Sequence, residues 1–257
     1  MKVKEKKAII EKLEKEGKFN EHVVPPSFKN IKEVTPDYDY MRRGFLNQTG
    51  SFFMEGAFRL ASMLVPPFFG LKIEGKNNIK KVKSAIVTSN HINSLDCALT
   101  KRAFYHKKLK ITVAEFNNPK GIFGSMLRAA GTLPLGKSIS SYKNLSKAIK
   151  EFLSNEQFVL FYPEVACWHE YEKPRPLAPG AYVFAVEYNV PLIPIFYTFK
   201  KRKLSDKFDY VLHIGNPIYP DETMPKRQRI EKLRQQNFDF NRSVYEKFYN
   251  KTLESTS

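Results

Sequence analysis

The sequence predicts an α/β fold: a mixed, mostly parallel sheet flanked by helices, with a helical module at its N-terminus. Three observations predict it. From about residue 72 onward short apolar runs alternate with helical patterns, as in strands joined by crossover helices. Before residue 72 the patterns are helical or irregular. The length of 257 residues is long for one simple domain and short for two full ones. The expected division is a helical module over residues 1–72 and an α/β domain over 73–257.

Residues 1–18 carry Ile9, Ile10 and Leu13 among Lys and Glu, a charged amphipathic helix. Residues 22–40 hold Pro25, Pro26 and Pro36 without periodicity and read as a connecting loop. Residues 45–65 form a second helix, with Glu55 and Arg59 paired one turn apart. Residues 84–89 read as a buried strand, and 95–104 as a helix with Ser94 as N-cap. A strand at 109–116 alternates apolar and polar residues, and a helix at 119–130 ends at Gly131. Residues 141–154 are amphipathic, with Leu145, Ala148, Ile149, Phe152 and Leu153 on one face. A strand at 157–162, a helix at 180–188, strands at 191–198 and 210–214, and a basic helix from 225 complete the chain.

Composition bounds the function. At 42% hydrophobic and 27% charged residues the chain is globular. A net charge of +17 attracts anionic partners: nucleic acid, an anionic lipid surface, or an acidic substrate or carrier. No RNP-type aromatic signature or helix-turn-helix pattern accompanies it, so specific nucleic-acid binding is not expected. The two cysteines, Cys97 and Cys167, lack metal-site spacing and read as thiols in a reducing compartment, which removes zinc ribbons and fingers. No hydrophobic signal-peptide region follows the charged start. The apolar stretch 52–70 is interrupted by Glu55, Arg59 and Pro66-Pro67, well short of the ~20 apolar residues of a spanning helix. It suits a helix lying in a membrane interface, or one packed on the main domain.

The segment Ser89-Asn90-His91-Ile92-Asn93-Ser94-Leu95-Asp96 leaves a buried strand and enters a helix. His91 falls in the turn and Asp96 in the first helical turn. Side chains there point back toward the helix start, so the carboxylate can reach the imidazole. A carboxylate on one ring nitrogen fixes the tautomer and leaves the other to accept a proton. That is a general base with its orienter, and a substrate hydroxyl supplies the nucleophile. Three further segments follow. Gly131-Thr-Leu-Pro-Leu-Gly136-Lys137 offers glycines for close backbone approach and a point charge. Leu160-Phe161-Tyr162-Pro163-Glu164 ends a strand at an acid. Lys173-Pro-Arg175 suits a phosphate, and Val190-Pro-Leu-Ile-Pro194 is an apolar, proline-rich run. Each also has a bland reading: a tight turn, a cap or salt bridge, a solvated charge pair.

Taken in order, these segments resemble the four blocks of the glycerolipid acyltransferase family, over about residues 75–200. Asn90 through Asp96 matches the His-x4-Asp block, Gly131–Lys137 the second, Tyr162-Pro163-Glu164 the third, and 190–194 the fourth. The resemblance implies that His91 deprotonates the free hydroxyl of a lysophospholipid, 1-acylglycerol-3-phosphate foremost. That hydroxyl attacks the thioester of acyl-CoA or acyl carrier protein. It implies that Asp96 holds His91, that Gly136, Lys137, Lys173 and Arg175 bind the acceptor and its phosphate, and that Glu164 positions it. It implies neither a metal, nor a cofactor beyond the thioester co-substrate, nor a covalent acyl-enzyme. It also implies an N-terminal module docked on the cytoplasmic face of an anionic membrane, peripheral or monotopic. Three departures stand out. After Pro-Glu the family usually has Gly-Thr-Arg, and here Val165-Ala166-Cys167-Trp168-His169 follows. Lys137 stands where arginine is commoner, and Asn93-Ser94 where one small polar residue is usual. Trp168 and His169 are expected near the pocket mouth. Cys97, lacking an activating base, is expected in the helix core.

Overall fold

Why the strand before His91 is buried follows from its place in the sheet. In a computed structural model describing residues 3–24, 28–68, 70–203, 205 and 207–254, seven strands form one sheet. They are β1 (Lys72–Glu74), β2 (Ala85–Ser89), β3 (Leu109–Ala114), β4 (Thr132–Leu135), β5 (Phe158–Phe161), β6 (Leu192–Lys201) and β7 (Phe208–Ile214), in the order β1-β7-β6-β2-β5-β3-β4. From β6 to β4 every pairing is parallel, and only β6–β7 is antiparallel. β2 is central, and all five of its residues are buried, as expected for a strand covered on both faces.

The helices are α1 (Val3–Lys15), α2 (Phe45–Phe68), α3 (Asp96–Ala103), α4 (Gly121–Ala129), α5 (Ile139–Ser154), α6 (Gly180–Glu187) and α7 (Lys226–Tyr249). Alternate strand residues feed two cores. Ile86, Val159 and Leu192 pack with Leu145, Ile149 and Phe152 of α5 and Tyr182 and Phe184 of α6. Val87, Leu160 and Ile193 pack on the other face with Leu99 and Ala103 of α3 and with Phe104.

Several boundaries differ from expectation. The glycine-bracketed segment after α4 contains a strand, β4, because a proline is tolerated at a sheet edge where no ladder N–H is needed. β1, three residues long, is too short to show a period. α2 continues through Pro66-Pro67 to Phe68, since proline's fixed φ is helical even where its ladder hydrogen bond is lost. The side chain of Arg59, the expected partner of Glu55, lies outside the described residues, as do Pro25 and Pro26. Glu55 instead meets Lys110 of β3 at 2.5 Å. Among the described residues no helix is long and apolar enough to cross a membrane.

The N-terminal segment packs across the site end of the sheet. Ile9, Ile10 and Leu13 of α1 join Phe19 and Val23 around Trp168. Residues 28–40 then follow the ends of β3 and β4. Lys32 N–H donates to the Asn118 carbonyl (2.7 Å), Val34 N–H to Glu115 Oε1 (2.9 Å), and the Tyr40 hydroxyl to the Pro134 carbonyl (2.7 Å).

Candidate active site

His91 lies in the turn leaving β2, at the end of the parallel strands where α/β sheets place their sites. Asn90 anchors that turn. Its side chain donates to the Tyr197 carbonyl (3.0 Å) and accepts from the Tyr197 N–H (2.8 Å), tying the turn to β6.

Asp96 opens α3 with no exposed surface. Its Oδ2 lies 3.0 Å from His91 Nδ1 and accepts the N–H groups of Ile92 (2.9 Å) and Asn93 (3.0 Å). This replaces the expected Ser94 cap: Leu95 is the N-cap, with no side-chain bond of its own. The carboxylate one residue inside the helix satisfies the turn's donors while orienting the imidazole. Asp96 Oδ1 is buried without a hydrogen-bond partner. The His91 side chain is 23% exposed, and one face of its ring stacks on Tyr162 at 4.3 Å. Burial lowers the His91 pKa, but the bonds to Asp96 and Cys167 more than offset it, and the value is pushed up to about 10. Burial also raises the Tyr162 phenol well above its ordinary value, and that hydroxyl has no hydrogen-bond partner.

Glu164 and Arg175 are brought to the same turn, but as a buried ion pair. Both side chains are essentially unexposed, with Arg175 Nη2 and Nε at 2.8 and 3.1 Å from Glu164 Oε2. Glu164 also accepts from the His91 and Arg175 backbone N–H groups (3.3 and 3.2 Å). Arg175 donates onward to the carbonyls of Phe19 (3.0 Å) and Ala166 (2.5 Å), and its guanidinium stacks over Trp168 at 4.7 Å. The pair therefore fixes the loop beneath His91 rather than facing an open pocket. Trp168, expected near a pocket mouth, is fully buried, and its Nε1 donates to the Glu21 carbonyl (2.9 Å).

The other expected phosphate contacts lie apart from His91. Lys173 pairs with Glu14 of α1 at 2.7 Å. Lys137 is 88% exposed and 3.6 Å from Glu115. It follows β4, three strands from β2, a lateral offset of about 14 Å. Gly136 is explained by packing: a Cβ there would meet Ser141 Cβ at 2.5 Å and Val34 Cγ1 at 2.9 Å. Gly136→Ala is expected to lower stability by about 1–3 kcal/mol and to leave acceptor KM unchanged; urea denaturation and steady-state kinetics check both halves.

Sequence reasoning missed Tyr162 as a wall of the site and Cys167 as a neighbour of His91. Their signal was adjacency to Glu164, which reads equally as strand end and loop. Val165 was also hidden: it adopts φ 67°, where a β-branched residue is strained. Among the described residues no cluster of three His, Cys, Asp or Glu could hold a metal ion.

A base oriented by a carboxylate can activate a hydroxyl for acyl transfer without an enzyme nucleophile. Comparison with known proteins agrees with that chemistry. The chain resembles the crystal structure of PlsC, the 1-acyl-sn-glycerophosphate (LPA) acyltransferase of Thermotoga maritima, with a TM-score of 0.58 and 18% identity over 79% of this chain and 81% of that one. At that identity the likeness speaks for the α/β fold. No curated protein matches the sequence. The Acyltransferase family model matches residues 70–198, half of the chain, with His91, Asp96, Glu164 and Arg175 all inside the match. With that match, the chain belongs to the Acyltransferase family and is an acyltransferase enzyme.

Proposed function

We propose that this acyltransferase moves a fatty acyl group from a thioester donor, acyl-CoA or acyl carrier protein, to the free hydroxyl of a lysophospholipid, with 1-acylglycerol-3-phosphate as the acceptor. The observation that carries the reading is the Asp96–His91 pair. With Nδ1 held by Asp96, Nε2 is the nitrogen that takes the acceptor's proton as its oxygen attacks the thioester carbonyl. The donor's thiolate leaves and recovers the proton from the imidazolium. The Thermotoga maritima enzyme is named for 1-acyl-sn-glycerophosphate, which supports the same acceptor here.

A membrane surface is the proposed place of work. α2 exposes Phe45, Phe52 and Phe53, and α4, packed against it, exposes Ile122, Phe123 and Met126. Apolar side chains clustered on two adjoining helices suit the boundary of a bilayer, and a net charge of +17 favours an anionic one. In this reading Lys137 and Lys173, the exposed basic residues at the site end of the sheet, meet the phosphate.

The test is turnover of the purified chain with lysophosphatidate and each donor type, with and without anionic vesicles. Phosphatidate formation, faster with vesicles, is expected. Turnover of a non-phosphorylated alcohol in preference to lysophosphatidate would replace the acceptor. An unchanged KM for lysophosphatidate in Lys137→Ala would remove that lysine from the phosphate site.

A further inference from the structure

The turn after β5 holds a strain that burial does not offset. Val165 adopts φ 67°, a left-handed conformation that glycine takes freely and a β-branched residue resists. Its neighbours impose that conformation. Glu164 and Ala166, on either side, are buried. The Val165 N–H donates to the Tyr162 carbonyl (3.0 Å) and the Ala166 N–H to the Glu164 carbonyl (2.8 Å), which closes the chain into a tight turn. Between its buried neighbours the Val165 side chain is 44% exposed. Apolar burial therefore compensates little of the strain, and a glycine would hold the same turn without it. The position is also beside the base. β5 pairs with β2, so the turns leaving these strands are neighbours, and Glu164 accepts the His91 N–H at 3.3 Å. The turn leaving β2 presents a second apolar side chain to solvent, Leu95, 42% exposed.

From this placement we infer that Val165 is a specificity-determining residue. Its isopropyl group meets the acyl chain already present on the acceptor, and so selects a lysophospholipid over the same headgroup without a chain. The inference deepens the lysophospholipid reading above and rests on it. The charges nearest Val165 in its loop face each other: Glu164 and Arg175 are paired at 2.8 Å and enclosed. What this turn offers a substrate is therefore apolar. General-base chemistry brings the acceptor's hydroxyl to the imidazole. In 1-acylglycerol-3-phosphate the carbon beside the reacting one carries the acyl ester, so the start of that chain arrives within a few bonds of the base. An isopropyl group at the rim gains apolar contact only when the chain is there. The contact is made in the bound acceptor and in the transition state alike, so it acts on KM and spares kcat.

The experiment compares the full wild-type chain with Val165→Gly and Val165→Thr, using palmitoyl-CoA as donor, first without vesicles and then with them. The acceptors are lysophosphatidate and glycerol 3-phosphate, its counterpart without a chain. Val165→Gly is expected to raise the lysophosphatidate KM about tenfold with kcat within about twofold. Its kcat/KM for glycerol 3-phosphate should stay within about twofold, so the preference for the chain-bearing acceptor falls about tenfold. Val165→Thr keeps the branched shape and the strain but puts a hydroxyl on the contact, and should show part of the same rise in KM. Both variants should fold like wild type by circular dichroism, with the urea midpoint of Val165→Gly equal to wild type or higher as the strain is relieved. A lysophosphatidate KM within about twofold of wild type in Val165→Gly overturns the role of Val165 and leaves the acceptor reading standing. So does a rise confined to the palmitoyl-CoA KM, which puts the isopropyl group on the donor, or a defect confined to assays with vesicles, which puts it in the bilayer. Wild-type preference for glycerol 3-phosphate overturns the acceptor reading and this inference together. Turnover of a different lysophospholipid in place of lysophosphatidate, with its KM raised in Val165→Gly, overturns the proposed headgroup and supports Val165.

Discussion

His91→Ala is expected to leave the fold intact and to remove acyl transfer, by about 10²–10⁴-fold in kcat. The imidazole sits in a turn whose backbone is held by other residues: Asn90 to β6, Asp96 to the Ile92 and Asn93 N–H groups, and Glu164 to the His91 N–H. Deleting the ring removes the base and spares those bonds. Near-wild-type phosphatidate formation by the variant would end the base assignment. The pH dependence sharpens the test. With the free-enzyme pKa at about 10, the neutral imidazole is a minor species at neutral pH, so kcat/KM should climb about tenfold per pH unit toward pH 10. Asp96→Asn, which removes the carboxylate that holds the proton, should lower both the activity and the apparent pKa. Stability moves in the opposite sense. The folded pKa lies above the unfolded 6.5, so the His91 contribution is fully present below pH 6.5 and is lost as pH rises through about 10.

Arg175→Met is expected to destabilise the chain by about 3–5 kcal/mol, because it strands the Glu164 carboxylate in a buried site with only backbone donors. Equilibrium urea unfolding measures it, and an accompanying fall in Tm of roughly 10 °C is expected. Glu164→Gln should lose less than Arg175→Met, because the single amide oxygen can still accept from one of the two N–H groups and the guanidinium keeps the Phe19 and Ala166 carbonyls. The double variant Glu164→Gln, Arg175→Met should recover part of the loss, since no unpaired charge remains. A phosphate-binding Arg175 would behave differently: acceptor KM would rise while unfolding stayed unchanged.

The sequence made the central parts readable for a physical reason. A run of Ala85, Ile86 and Val87 closed by two small hydroxyl residues and a polar turn has few alternatives to a covered strand, and His91 and Asp96 are close enough in sequence to be joined by one turn. The Glu164–Arg175 contact was out of reach because the two residues stand 11 apart with no helical register between them. Charge in a loop reads as solvated, and only the packing of Phe19 and Trp168 shows that this charge is enclosed. The β4 strand was concealed by Pro134 and its flanking glycines, which carry turn signals wherever they occur. The neighbourhood of the 168–170 strip and His91 was hidden because it rests on backbone bonds from Trp168 and Glu170 to His91 and Ile92, which no local pattern encodes.

The Arg175–Phe19 hydrogen bond has a consequence for how the chain is divided. A guanidinium donor from the loop between β5 and α6 ends on a carbonyl of the N-terminal segment, and Trp168 does the same through Glu21. Residues 3–24 are therefore tied into the loop beneath the base. A shortened chain starting at residue 28 would bare the indole and leave two buried donors seeking water, directly beneath the base. Its unfolding should be less cooperative and its midpoint lower. Hydrogen exchange in the 164–175 loop should accelerate together with loss of the N-terminal segment, so that catalytic loop and N-terminal helix open and close as one unit.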